Sequence, residues 1–451
     1  MDAPARPIIP PAPKVWPTEP GELVLVWRTL RNLVSAWAEP AFEKLFARRT
    51  VLGVEGILVN DPEGIRHVLA DRGEHYGRPP AFIRPIRPVA GEGVLLAEGA
   101  DWKRQRRMLA PAFTPAAISG LIPHFHEAAQ VMLARLRPRA NLAFAFHEAA
   151  LDAVLRALFS LPANGPNADL AQTVRDYLKG PGRPNFLDGI ARAENDFPLF
   201  GGSRRRFQKR WFALVDAVVA ERRASSESHS NDMLGLLLAA RDPETGEGLS
   251  DAEIRDQSAT MLAAGFETTS RLLFWATYLL ALDPFEQDRV RAEVLASPPR
   301  PDMTLDDLHA WPRLRSVLLE TLRLYPPVAV LLRQVVADDT LCGETVKKGA
   351  LIWISPWTLH RHKAFWDQPT AFMPERFAGK PNAFMTEPAY LPFSAGPRVC
   401  IGAHFAMAEA SIVLASLLTH HQWGLEEDRP VMPVAQVTTV PDHEPWFLLG
   451  T

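Results

Sequence analysis

From residue 61 to about residue 330, apolar positions recur mostly three and four apart, the spacing of helices that bury one face. Proline and glycine clusters at Gly180–Pro184 and Pro198–Gly202 cut this stretch into pieces. Ahead of it, Thr50–Asn60 reads as a short β-hairpin, with β-branched residues flanking Gly53 and Gly56. Asp61-Pro62 then has the form of a helix start, aspartate at the cap and proline in the first helical position. After Pro326-Pro327 the texture changes to short apolar runs with turns at Gly343 and Lys348-Gly349, which predicts small strands. A last long helix follows Cys400, and Val437–Pro441 begins a terminal strand-and-turn section. The longest uncharged apolar run, Leu272–Leu282, is too short for the roughly 20 residues a bilayer needs and reads as a buried core helix. The expected fold is mainly α with small peripheral β-sheets, as a single interlocked domain. Residues 1–45 are expected to form a proline-rich surface arm and a first helix, ahead of a body spanning 46–451.

Composition narrows the partners. A formal net charge of −3 argues against a general nucleic-acid binder. Two cysteines in 451 residues cannot build a disulfide framework or a four-cysteine zinc site, so a reducing, cytoplasmic setting is expected. The opening residues carry prolines where a signal peptide would need an apolar stretch, and no membrane association is expected.

The chemistry gathers at Cys400. It follows Phe393-Ser394-Ala395-Gly396-Pro397-Arg398-Val399 and precedes a helix kept slim by Gly402, Ala403 and Ala406. A thiolate there sits at a helix N-terminus, where free N–H groups favour negative charge, and Phe393 can shield it from water. A metal ligand or a nucleophile follows from that setting. The string resembles the haem-thiolate signature of the cytochrome P-450 family. Three further strings appear in that family's order: Ala264-Gly265-Phe266-Glu267-Thr268-Thr269 resembles its oxygen-binding helix, Glu320-Thr321-Leu322-Arg323 its Glu-x-x-Arg helix, and Pro374-Glu375-Arg376-Phe377 its meander motif. The resemblance spans roughly residues 50–445. Pro397 directly before Arg398 departs from the commonest form.

Several residue roles follow. Glu320 and Arg323 are three apart on one helix face among leucines, which makes a buried pair plausible; the resemblance adds Arg376 as its third member. Ala264 and Gly265 are small enough for a diatomic ligand and a flat cofactor to approach the backbone. Thr268, four residues on, can bond the Ala264 carbonyl, and Glu267 beside it can pass protons inward from solvent. The resemblance implies haem b (iron protoporphyrin IX) on Cys400, with its propionates on Trp102, Arg106, Arg333 and Arg398. Thr260, Ala264, Val328, Ala329, Val330, Leu331 and Phe82 are apolar or small and are expected to line a pocket for a hydrophobic small molecule, with the broken stretch Gly180–Gly202 as a lid. Lys103, Arg104 and Arg107 point away from Trp102 as a basic patch. With only about fifty residues after Cys400, electrons are expected from a separate ferredoxin or flavodoxin drawn to that patch.

The expected activity is dioxygen-dependent hydroxylation or epoxidation by a monomeric monooxygenase. The alternatives are a peroxide-using haem-thiolate peroxygenase or isomerase, and a non-catalytic haem sensor or carrier. Other patterns lead nowhere: His126-Glu127 and His147-Glu148 lack the second histidine of a zinc-protease helix, Gly91-Glu92-Gly93 lacks a third glycine, His360-Arg361-His362 reads as turn packing, and Cys342 as structural.

Overall fold

The computed structural model describes residues 7–163, 169–194, 196, 201–224 and 232–450. Within them the chain is mostly helical. The helices used below are α1 (Glu22–Arg31), α2 (Pro80–Ala90), α3 (Gly99–Leu109), α4 (Ile122–Arg135), α5 (Leu142–Phe159), α6 (Phe186–Ile190), α7 (Gly202–Ala224), α8 (Asp251–Leu282), α9 (Pro312–Leu324) and α10 (Ala403–His420).

Helix α8 is the axis of the molecule, 32 residues long, or roughly 48 Å at the α-helical rise of about 1.5 Å per residue. Its start is fixed by a capping box, in which Glu253 N–H donates to the Ser250 hydroxyl and Ser250 N–H to the Glu253 carboxylate. Its apolar surface runs nearly all the way round, so it must be covered on all sides. Helices α5 and α10 pack on it, and α4 packs on both of them. The run from Leu272 to Leu280 lies inside this bundle, as the sequence implies, and Ala281 and Leu282 at its end are half-buried. The span Gly396–His420, which contains α10, is apolar and long enough to cross a bilayer. However, 78% of its most apolar window is buried in the protein, so that apolarity is spent on the core.

A five-stranded sheet stands at one side: β1 (Phe46–Val51), β2 (Val54–Val59), β3 (Tyr76–Gly77), β4 (Leu331–Val335) and β5 (Leu351–Ile354), in the order β1-β2-β5-β4-β3. The predicted hairpin is β1–β2, turning through Leu52 and Gly53 at φ 49° and 77°. Asp61 caps the next helix, accepting from Gly64 N–H at 2.9 Å. Because side chains alternate along strands, one face of the sheet (Ile57, Val59, Ile352, Ile354) builds a second apolar core. The other face (Gly56, Leu58, Leu332, Trp353) lines a cavity.

The arm is docked over part of its length. Ile8 carbonyl accepts from Phe372 N–H at 2.9 Å, and Pro11 carbonyl from the buried Tyr325 hydroxyl at 2.7 Å. Of the predicted lid, residues 195 and 197–200 lie outside the described residues. The rest includes α6, which carries its own capping box of Asn185 and Asp188. Asp188 is clasped by Arg204 through two bonds of 2.7 Å and by Arg84 at 2.9 Å, tying α6 to α7 and α2.

Candidate functional site

Cys400 ends a tight loop closed by its own N–H, which donates to the Phe393 carbonyl at 2.9 Å. Ser394 and Gly396 both have positive φ, 65° and 71°. At Gly396 a Cβ would stand 2.4 Å from the Leu69 carbonyl oxygen, so glycine alone fits both the turn and its neighbour. Phe393 is held edge-on against Phe384, with centroids 5.1 Å apart. The Cys400 side chain presents accessible surface although it lies deep in the protein, because the surface it presents is internal. Burial pushes its thiol up, opposed by the Gly402 amide and by Arg106. Gly402 stands beside the sulfur: a Cβ there would touch Sγ at 4.0 Å, an ordinary contact.

On α8, Ala264 is exposed although Leu262 and Phe266 on the same helix are buried. Thr268 donates its hydroxyl to the Ala264 carbonyl at 2.7 Å, the bond expected from their spacing. Gly265 serves a different purpose from the expected one. Its missing Cβ would lie 3.0 Å from Val154 Cγ2, so its smallness lets α5 close against α8.

Glu267 is set among partners that the sequence does not reveal. Its residue is 3% exposed, which leaves no direct opening to solvent. Its Oε1 accepts from Arg271 Nε and Nη2 at 3.0 and 2.9 Å and from the Thr438 hydroxyl at 3.1 Å, while His147 Nδ1 stands 3.5 Å from Oε2. Burial alone would raise this carboxyl, but Arg271, His147 and the hydrogen bonds outweigh it and hold the group below its ordinary range. As placed, Glu267 is a clamped anion with no exposed face of its own.

Four arginines collect near the cysteine loop. Arg398 lies over the Trp102 ring, 4.5 Å from its centroid, and donates to the Ala97 carbonyl at 3.0 Å. Burial, with Arg78 and Arg398 alongside, brings Arg333 down to about 10. Burial and then Arg78 bring Arg398 to about 10. Arg106 is lowered by burial, with Cys400 near enough to oppose it. Arg78 is the member that sequence reasoning missed. It sits directly after β3, and only the pairing of β3 with β4 brings it beside Arg333. Crowded guanidiniums favour an anion between them, and one acid, Glu98, meets Arg78 and Arg398. Iron protoporphyrin carries a metal for a thiolate and two carboxylates for cations. The internal surface at Cys400, the exposed Ala264 and the surplus of arginines fit such a group.

The Glu320–Arg323 pair is fully buried, both residues being 0% exposed. All five guanidinium N–H groups of Arg323 have acceptors: Glu320 through two bonds of 2.7 Å, and the carbonyls of His360, Pro369 and Ala371. Arg376 Nε is 3.4 Å from Glu320 Oε1, which completes the trio. His360 stands neutral between the Arg323 carbonyl and the Leu391 N–H, and burial with Arg323 beside it lowers it to about 3. Removing one partner of such a pair strands a buried charge at a cost of about 3–5 kcal/mol.

The expected pocket residues divide. A cavity of about 370 Å³ between α1, the sheet and α6 is lined by Leu30, Trp37, Phe82, Ile190, Val330 and Leu332, among others. Leu331 is on the sheet's opposite face, against the second core, and Val328 is half-buried outside the cavity. Thr260 and Ala329 are corrections, since both are packed away. The Thr260 hydroxyl donates to the Ala90 carbonyl at 2.9 Å, and the Ala329 carbonyl accepts from Ser355 at 3.1 Å. The basic patch shrinks as well. Arg104 pairs with Glu253, and Arg107 with Asp242 and Glu244, leaving Lys103 exposed.

Comparison with known proteins points one way. The cytochrome P-450 family model matches residues 46–444. The cyclooctat-9-en-7-ol 5-monooxygenase of Streptomyces melanosporofaciens is 31% identical over 442 residues, covering 95% of this chain and 93% of that protein. A cytokinin hydroxylase of Arabidopsis thaliana is 30% identical, covering 89% and 81%. The crystal structure of the cytochrome P-450DA heme domain superposes with a TM-score of 0.79 over 98% of each chain at 24% identity, which shows the shared fold.

Proposed function

This chain belongs to the cytochrome P-450 family, and we propose that it inserts one oxygen atom from dioxygen into an uncharged, apolar small molecule, with electrons from a separate protein donor. The overall change would be substrate, dioxygen, NAD(P)H and a proton giving oxygenated product, water and NAD(P)+. When bound to a thiolate, haem supplies the cleavage of the O–O bond.

The protein's own contributions are specific. Cys400 offers the sulfur from a loop that Gly396 shapes. Trp102, Arg106, Arg333, Arg398 and Arg78 would hold the two cofactor carboxylates. Thr268 donates its hydroxyl to the Ala264 carbonyl, beside the one exposed position in that stretch of α8, which leaves its oxygen lone pairs to accept there; handing on a proton would require the hydroxyl to swing off that carbonyl. Glu267, held by Arg271 and Thr438, fixes that turn of the helix.

The observation that carries this reading is Cys400, whose internal surface adjoins a cluster of arginines short of anions. The apolar cavity meets the expected pocket only at Phe82 and Val330 and is not lined by Cys400, Ala264 or Thr268, so the substrate class rests on the expected apolar lining and on the relatives rather than on that cavity. A relative named for oxygenating cyclooctat-9-en-7-ol accords with that. Purified protein with haem, a ferredoxin and its reductase should oxidise NAD(P)H faster when an apolar alkenol is added, yielding a product one oxygen heavier. Stimulation by charged compounds only would contradict the substrate class. The rate should fall modestly as ionic strength rises, because Lys103 is what remains of the steering patch.

A further inference from the structure

Glu98 occupies an odd position. It is the N-cap residue of α3, the helix that carries Trp102 and Arg106, yet its side chain makes no cap hydrogen bond. Aspartate, not the longer glutamate, is the acid that ordinarily caps there by accepting from the first turn's free N–H groups. The Glu98 carboxylate instead reaches two arginines from two other parts of the chain, Arg78 after β3 and Arg398 in the cysteine loop. The Glu98 side chain is 54% exposed, whereas those of Arg78 and Arg398 are 8% and 19% exposed. The acid therefore meets the guanidiniums from the solvent side, while Arg398 spends another N–H on the Ala97 carbonyl and lies over Trp102. Arg333, close to both, donates to its neighbouring carbonyl, that of Leu332.

Counting charge gives the consequence. Arg78, Arg106, Arg333 and Arg398 bring four positive charges, and Glu98 returns one negative charge. The pocket stands at about +3 before any ligand enters and at about +1 once two carboxylates have joined it. We propose that Glu98 is an internal counter-ion that holds the arginine pocket together while it is empty and then competes with the cofactor's carboxylates for Arg78 and Arg398. The inference rests on haem being the ligand. It makes Glu98 a positioning residue that sets how tightly the cofactor is kept.

An ordinary structural salt bridge and a competing counter-ion predict opposite signs. For Glu98→Gln, which keeps size and loses charge, the empty protein should melt at a lower temperature because its arginines repel. In the loaded protein, haem transfer to excess apomyoglobin should be slower, by about threefold to tenfold, and the reduction potential should move positive because a nearby negative charge has gone. Arg78→Gln should speed haem transfer, and the double variant should show less effect of Glu98→Gln than the wild-type background does, since the competed partner is missing. Unchanged or faster haem transfer in Glu98→Gln would overturn the proposal. Should that variant not fold, Glu98→Asp, whose shorter arm withdraws the charge, is read in the same way. A wild-type protein that takes up no haem would instead defeat the proposed function, so the two failures are distinguishable.

Discussion

Thr268 and Glu267 are neighbours in sequence and opposites in setting. The threonine hydroxyl stays half-open, tied to one backbone carbonyl, while the glutamate is sealed among Arg271, His147 and Thr438. The sequence could show both residue types on one turn of helix. It could not show the clamp, because His147 and Thr438 come from segments 120 and 171 residues away. The proposed function gives proton delivery beside Ala264 to Thr268. In Thr268→Ala haem should be retained and NAD(P)H still consumed, with product per NAD(P)H down at least about tenfold and peroxide released. Unaltered coupling of consumption to product would remove the assignment.

At the scale of elements, α9 is the hub that locks the cysteine side of the molecule. It offers Glu320 and Arg323 on one face, and Arg323 gathers the carbonyls at 360, 369 and 371, so a stretch with little regular structure is held by side-chain bonds. Spacing on a helix made the pair legible, but the carbonyl partners were not, since nothing in residue type marks a backbone oxygen as an acceptor. The same hub carries a pH dependence. His360 is neutral when folded, at about 3, against an ordinary 6.5. Between those values the unfolded chain binds a proton that the folded one refuses, so stability rises with pH there. This contribution is complete above about pH 6.5 and is lost as pH falls toward 3, at up to roughly 1.4 kcal/mol per pH unit. Urea midpoints measured across that window should fall steadily on acidification. A midpoint flat from neutrality down to pH 4 would show that His360 does not sit as described.

Seen whole, the molecule places its chemistry where a long buried helix, a cysteine loop and the edge of a small sheet converge. Much of this was legible beforehand. The hairpin (expected at 50–60 and found at 46–59), the cap at Asp61, the buried run from Leu272, the short strands after Pro327 and the helix after Cys400 all follow from local pattern. What escaped was set by long-range pairing. Arg78 joins the arginine cluster only through β3 on β4, the basic patch is spent on acids from 242, 244 and 253, and Leu331 and Leu332 part because alternate strand residues face different compartments. The claim beneath all of this is a thiolate bond from Cys400 to haem iron. Its most direct test is the absorption spectrum of the reduced protein under carbon monoxide, in wild type and in Cys400→Ser. The account predicts the strongly red-shifted main band of a thiolate-ligated haem in the wild type and its loss in the variant. A colourless wild-type protein, or the same band in both, would contradict it.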